Sequence, residues 1–186
     1  TDQSETLVGT KHDDVISGRK GDDYIYAEDG DDIIILSEAG KETFDGGEGN
    51  DTLELHLLDW TPPEGFVGEV NLIDGWLGHH LYPNVEGSDV VAKVENVTLY
   101  GDIDYIINGD AENNVFITQG GTDKLYGGDG DDILKSGSGD DFLYGEAGDD
   151  ILILNGSGTQ AFDGGEGSDT FKLDYTSFES ASLNPD

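Results

Sequence analysis

Along much of this chain one large apolar residue returns every nine positions, separated by glycine and acidic residues. Leu125, Leu134, Leu143 and Leu152 form the clearest run, and each stands two places after an Asp: Asp123, Asp132, Asp141 and Asp150. The pattern GGxGxDxUx, with U a large aliphatic residue or Phe, can be laid on loops starting at 9, 18, 27, 37 and 46. It resumes at 99, 109, 118, 127, 136, 145, 155 and 164. The eighth place reads Ile16, Ile25, Ile34, Phe44, Leu53, Ile106, Phe116, Leu125, Leu134, Leu143, Leu152, Phe162 and Phe171. The sixth reads Asp14, Asp23, Asp32, Glu42, Asp51, Asp104, Asn114, Asp123, Asp132, Asp141, Asp150, Gln160 and Asp169. All thirteen eighth places are Ile, Leu or Phe, which chance does not give.

Each place has a physical task. Glycine at the first, second and fourth lets the backbone turn through positive φ and aim carbonyls inward. The sixth supplies a short, stiff carboxylate. The xUx triplet is a short strand whose single inward side chain fills a narrow core. Two units then make one coil with a strand on each side, so a loop stacks on the loop two units later.

The chain also repeats on a larger scale. "GDDIIILSEAGKETFDGGEGNDTL" from Gly30 aligns with "GDDILILNGSGTQAFDGGEGSDTF" from Gly148 at a constant offset of 118. The expected organisation is a first repeat block at 1–54, a non-repeat segment at 55–98, a second block at 99–173 and a C-terminal flank at 174–186. Each block carries a tenth residue, Leu36 and Leu154, which reads as a β-bulge. Within the middle segment "GFVGEVNLIDG" (Gly65–Gly75) predicts a strand and a turn, hence one continuous structure rather than two beads.

Charge sharpens the question. There are 42 acidic and 8 basic residues, a formal net charge of −34. Self-repulsion would expand such a chain unless counter-ions bind specifically. Nucleic acid and anionic membranes are poor partners, for want of Lys and Arg, and no nucleic acid is expected to bind. A wholly disordered acidic segment is the plain alternative, and the periodic apolar positions argue against it. Cysteine is absent, so no disulfide framework exists. Methionine is absent too, which suggests a piece of a longer or processed polypeptide. No apolar run approaches the ~20 residues of a membrane span, and no leader-like pattern follows Thr1, so any export signal is expected elsewhere.

Stacked loops bring two carboxylates and several carbonyls to one point, and a hard cation taking six to eight oxygens at about 2.3–2.6 Å fits them. Ca²⁺ meets that description. Mg²⁺ prefers a strict octahedron and keeps its waters. Zinc would want Cys or His, and the four His (His12, His56, His79, His80) are scattered.

With "GGDGDDILK", "GEAGDDILI", "GGEGNDTLE" and "GGEGSDTFK", and the entry segment "VENVTLYGD" (Val94–Asp102), the chain resembles the RTX (repeats-in-toxin) family. The resemblance implies an all-β fold, a parallel β-roll that is a right-handed β-helix with Ca²⁺ in its loops. It implies a cage made of the second and fourth carbonyls and sixth carboxylate of one loop, with the first and third carbonyls and sixth carboxylate of the loop two units on. In the first block Thr10, His12 and Asp14 would face Ala27, Asp29 and Asp32, and Glu28, Gly30 and Asp32 would face Gly46, Glu48 and Asp51. In the second, Asp110, Glu112 and Asn114 would face Gly127, Asp129 and Asp132. Gly128, Gly130 and Asp132 would face Gly145, Ala147 and Asp150, and Glu146, Gly148 and Asp150 would face Gly164, Glu166 and Asp169. On the other edge Gln119, Gly121 and Asp123 would face Ser136, Ser138 and Asp141; Arg19, Gly21 and Asp23 would meet the loop of Glu42; and Gly139 and Asp141 would meet that of Gln160. About six to nine ions are expected in all. Gln160 lacks the charge for a strong site, Glu42 is longer than Asp, and the loop of Asp104 has Asp102 where Gly belongs.

Catalysis finds no support: HExxH, GxSxG and a Cys nucleophile are all missing, and the paired carboxylates fall in the repeat frame. Trp60, Trp76, His79, His80 and Tyr82 form the one cluster suited to binding something else, although covering the joint between blocks is the plainer role. Asn96-Val97-Thr98 fits a glycosylation acceptor triplet. The resemblance implies a calcium-dependent folding module of a larger exported bacterial toxin or adhesin, carried by a one-step secretion machinery to the exterior or the cell surface. The rival reading is an adhesive module, rigidified by Ca²⁺, whose aromatic segment binds a glycan or protein on a host surface. A monomer without membrane insertion is expected in either case.

Overall fold

The structure is a computed structural model and describes residues 3–36, 42–56, 66–73, 75–78 and 89–174. In chain order the strands are β1 (Thr6–Val8), β2 (Val15–Ser17), β3 (Tyr24–Tyr26), β4 (Ile33–Leu36), β5 (Thr43–Asp45), β6 (Thr52–His56), β7 (Gly68–Asn71), β8 (Trp76–Gly78) and β9 (Asp89–Ala92). They continue as β10 (Asn96–Asp102), β11 (Tyr105–Asn108), β12 (Val115–Gly120), β13 (Lys124–Asp129), β14 (Ile133–Ser136), β15 (Phe142–Ala147), β16 (Ile151–Asn155), β17 (Ala161–Asp163) and β18 (Thr170–Asp174). They wind into two facing sheets. One has the spatial order β2-β4-β6-β10-β12-β14-β16-β18, reading from its N-terminal end, and the other β1-β3-β5-β9-β8-β7-β11-β13-β15-β17. Within a block each strand pairs in parallel with the strand two ahead, as in Leu125↔Leu143 and Leu134↔Leu152. The result is a parallel β-roll of about seven turns.

The core is one side chain wide. Ile25, Ile34, Phe44, Leu53, Phe116, Leu125, Leu134, Leu143 and Leu152 are all fully buried between the sheets. Burying one such side chain contributes about 1.5–3 kcal/mol. Fixing the backbone costs about 1–2 kcal/mol per residue, and each unit has nine residues to fix. Apolar burial alone is too small, so much of the cohesion must come from the loops.

Two readings of the repeat are corrected. Leu36 and Leu154 are not bulges: β4 pairs with β6 without slippage through Leu36↔Leu55, and β14 with β16 through Ser136↔Leu154. The tenth residue lengthens the strand, and since side chains alternate, it turns a second apolar group inward. The frame starting at 99 is shifted by one. Ile107, not Ile106, lies opposite Leu125 and is buried, so Tyr105 takes the sixth place and Asp104 the fifth. The inward apolar residue sets register, and β10 absorbs the difference in a shift between Leu99 and Asp102.

Between the blocks the roll continues. β7 pairs with β11, turns through Gly75 (φ 66) into antiparallel β8, and β9 returns to pair in parallel with β5. The expected strand and turn at 65–75 are therefore β7 and the bend after it. On the opposite sheet β10 alone bridges β6 and β12. Of the aromatic cluster, Trp76 belongs to β8, while Trp60, His79, His80 and Tyr82 lie outside the described residues.

Candidate metal centre

The sixth-place carboxylates stand in two columns, one along each edge of the roll. On the first edge the Asp14 N–H donates to Asp32 Oδ1 at 2.7 Å and the Asp32 N–H to Asp51 Oδ1 at 2.8 Å. Further on, the N–H groups of Asn114, Asp132 and Asp150 donate to Oδ1 of Asp132, Asp150 and Asp169 at 2.7, 2.8 and 3.1 Å. On the second edge Glu5 donates to Asp23, Tyr105 to Asp123 and Asp123 to Asp141 in the same way. One oxygen of each carboxylate thus ties two turns together. In six of them the other is stranded: Oδ2 of Asp23, Asp32, Asp51, Asp123, Asp132 and Asp150 is buried without a partner, whereas Asp14 Oδ2 accepts the Thr10 N–H at 2.6 Å.

The first-place glycines show where those stranded oxygens aim. A Cβ on Gly127 would collide with Asp132 Oδ2 and lie 2.6 Å from the Gly145 carbonyl oxygen. On Gly145 it would meet Asp150 Oδ2 and the Gly164 carbonyl, and on Gly9 Asp14 Oδ2 and the Ala27 carbonyl. The second and fourth carbonyls rise from the turn below: those of Glu28 and Gly30 abut Gly47 and Gly49, those of Asp110 and Glu112 abut Gly128 and Gly130, and those of Glu146 and Gly148 abut Gly165 and Gly167. Three non-glycine second places hold left-handed backbone, with φ of 70° at Arg19, 80° at Glu28 and 75° at Glu146, whereas Thr10, Asp110 and Gln119 at the same place do not.

These contacts bring together the loops paired in the sequence reading. Thr10–Asp14 lies under Ala27–Asp32, and Glu28–Asp32 under Gly46–Asp51, where Gly30 N–H donates to the Glu48 carbonyl. Asp110–Asn114 lies under Gly127–Asp132, which lies under Gly145–Asp150 and then Gly164–Asp169, with Asp129 opposite Ala147 and Ala147 bridged to Glu166. Gln119–Asp123 lies under Ser136–Asp141, with Ser138 N–H on the Gln119 carbonyl and Gly139 against the Gly121 carbonyl. Glu42 is buried, but its loop over Arg19, Gly21 and Asp23 includes residues outside those described. Asp104, displaced to the fifth place, accepts the Thr122 N–H at 2.6 Å. Tyr105 in its stead packs its ring over Gly68, where a Cβ would strike it.

Among the described residues no three His, Cys, Asp or Glu side chains converge, so any cage here is completed by backbone carbonyls. That donor set, all oxygen, suits Ca²⁺ and the stranded Oδ2 atoms fit it. Without a cation the carboxylates are uncomfortable. Burial, with a smaller push from neighbouring carboxylates, raises Asp123 and Asp132 to about 7 and Asp51 to about 6. Asp141 and Asp150 rise for the same reason, burial first.

One cage is filled by the protein itself. Gln160 Nε2 donates to the Gly137 carbonyl at 3.0 Å and to Asp141 Oδ2 at 3.2 Å, the second-place carbonyl and sixth-place carboxylate of the loop below. Asn96 of the acceptor triplet is buried, and its amide donates to Asn50 and to the Asp51 carbonyl. Glu95, outside the glycine frame, was missed in the sequence reading. Its signal was an acid two places before an inward aliphatic residue, Val97.

A parallel roll whose turns stack half-satisfied buried carboxylates and converging carbonyls defines a cation-bridged repeat protein. The chain matches the model of the RTX calcium-binding nonapeptide repeat in four copies, at 1–34, 34–53, 106–134 and 126–158, and it belongs to that family. No curated protein matches it. The repeats of that family are calcium-binding and structural rather than catalytic.

Proposed function

We propose that this chain is a module that stays unfolded where Ca²⁺ is scarce, folds on meeting extracellular Ca²⁺, and so supports the secretion and folding of a larger exported bacterial protein, a toxin or an adhesin. The observation that carries this reading is the set of buried, unpartnered Oδ2 atoms along both edges. A roll with so thin a core and a net charge of −34 does not hold itself together, and cation binding becomes folding free energy. The chain's acidity suits passage as an extended polymer, and the millimolar-range affinities of extracellular calcium modules, with dissociation constants of about 10⁻⁴–10⁻³ M, suit a switch thrown outside the cell. Far-UV circular dichroism tests it. The chain is expected to be disordered in chelator and to gain strand signal on adding Ca²⁺ but not equal Mg²⁺; full strand content in chelator would sink the proposal.

A further inference from the structure

At the joint between the blocks the short turn at Lys93–Glu95, between β9 and β10, replaces the longer loop found elsewhere on this edge. Its glutamate does what a sixth-place Asp does in the repeats: Glu95 Oε2 accepts the Asp51 N–H at 2.8 Å. Its backbone supplies the matching carbonyl. Beside Gly46 the Lys93 carbonyl oxygen and Asp51 Oδ2 converge on one point, as the Gly145 carbonyl and Asp132 Oδ2 do beside Gly127. Lys93 holds φ at 52° to do so, a left-handed conformation uncommon outside glycine. Asp51 is 0% exposed and its Oδ2 has no partner. Nor does the nearby ammonium neutralise it, since Lys93 Nζ lies 3.3 Å from Asp45 Oδ1. The turn is anchored from both sides: Asn96 N–H donates to the Asp51 carbonyl at 2.9 Å and Asn114 Nδ2 to the Glu95 carbonyl at 2.9 Å.

From this we infer that Asp51, Glu95 and the Lys93 carbonyl form a further Ca²⁺ site at the joint, outside the nonapeptide frame, with the Gly47 and Gly49 carbonyls completing it as Glu28 and Gly30 do one turn below. The longer glutamate compensates for the shorter turn. The inference rests on the proposal that Ca²⁺ is the ion these loops take. It extends the ions of the first edge from Asp14 through Asp51 to Glu95, and the Asn114 amide on the Glu95 carbonyl ties that run to the second block. Among the described residues the second edge shows no such bridge: Gly68 and Tyr105 stand opposite each other at its joint.

The test compares the full chain with Glu95→Gln, using Asp150→Asn as a variant in the repeats. Native mass spectrometry counts ions at saturating Ca²⁺, and circular dichroism gives the folding midpoint. Glu95→Gln is expected to bind one ion fewer and to need roughly two- to fivefold more Ca²⁺ to fold, because metal binding and folding are linked. An unchanged count and midpoint for Glu95→Gln, with Asp150→Asn impaired, would overturn this inference and leave the calcium reading standing. A wild-type chain that binds no Ca²⁺ overturns both. Should Glu95→Gln not fold, anomalous scattering from Tb³⁺-soaked wild-type crystals decides: a peak between Asp51 and Glu95 supports the site, and peaks at the other turns with none there refute it.

Discussion

Adjacent aspartates in one loop do different work. Asp132 is buried and aims Oδ2 into the cage, whereas its neighbour Asp131 is exposed and accepts the Asp149 N–H at 2.8 Å. The fifth places thus form a ladder of their own on each edge, as where Asp13 accepts the Asp31 N–H on the first and Asp140 the Thr159 N–H on the second. Replacing Asp150 by Ala strands the buried Asp132 N–H, at about 1–3 kcal/mol, and removes a ligand. Replacing Asp140 by Ala loses only an exposed bond. Calcium titrations of the two should show a large rise in folding midpoint for Asp150→Ala and a small one for Asp140→Ala. The Gln160 cage invites the reverse experiment. Gln160→Asp removes a tethered amide and adds a carboxylate opposite Asp141, so it should bind one extra ion by mass spectrometry and be less folded in chelator. Most of this was legible in the sequence because Asp and aliphatic residues recur at a fixed spacing of two. Tyr105 and Glu95 were not. "GDIDYI" offers two aspartates to one frame, and only the inward packing of Ile107 chooses between them. Glu95 sits in a turn without the glycines that mark a loop.

Strands of three to seven residues pair through the molecule, and none could persist alone. All but the end strands are held by the turn above and the turn below, as expected for a repeat solenoid. Leu143 in β15 is fully buried between neighbours on both sides, while Phe171 in β18 is 49% exposed although it holds the same place in the frame. Leu143→Ala should therefore destabilise the calcium-bound roll by about 2–5 kcal/mol, within the range for large-to-small core changes, and Phe171→Ala by clearly less. Urea denaturation at saturating Ca²⁺ would measure both, and equal losses would contradict the nearest-neighbour picture. The sequence could not show that the tenth residue extends a strand. Apolar residues in "IIIL" and "ILIL" suit a bulge and a longer strand alike, and only the pairing of Leu36 with Leu55 separates them.

For the molecule as a whole, protons and Ca²⁺ compete for the same oxygens. Asp123 and Asp132 sit near 7 in the cation-free roll, above the unfolded value of about 3.9, so the folded chain binds more protons across that interval. Their contribution to the cation-free roll is present below about pH 4 and lost as pH rises through about 7. In chelator, then, strand signal should be greater at about pH 5 than at pH 8, whereas the Ca²⁺ folding midpoint should change little over that range and rise only as pH falls through about 4, where the unfolded carboxylates take up protons that the ion-bound roll does not. Equal strand signal in chelator at the two pH values would show that burial does not raise these carboxylates. The joint has a consequence of another kind. Between β5 and β11 one sheet inserts three strands, where the facing sheet carries β10 alone between β6 and β12. Two surplus spacings of about 4.8 Å on one side of a slab roughly 10 Å thick turn its long axis by on the order of 50°. The roll is therefore expected to bend at the joint, with the sheet of β6, β10 and β12 on the inside of the curve, and small-angle X-ray scattering of the Ca²⁺-bound chain would check it against a straight rod.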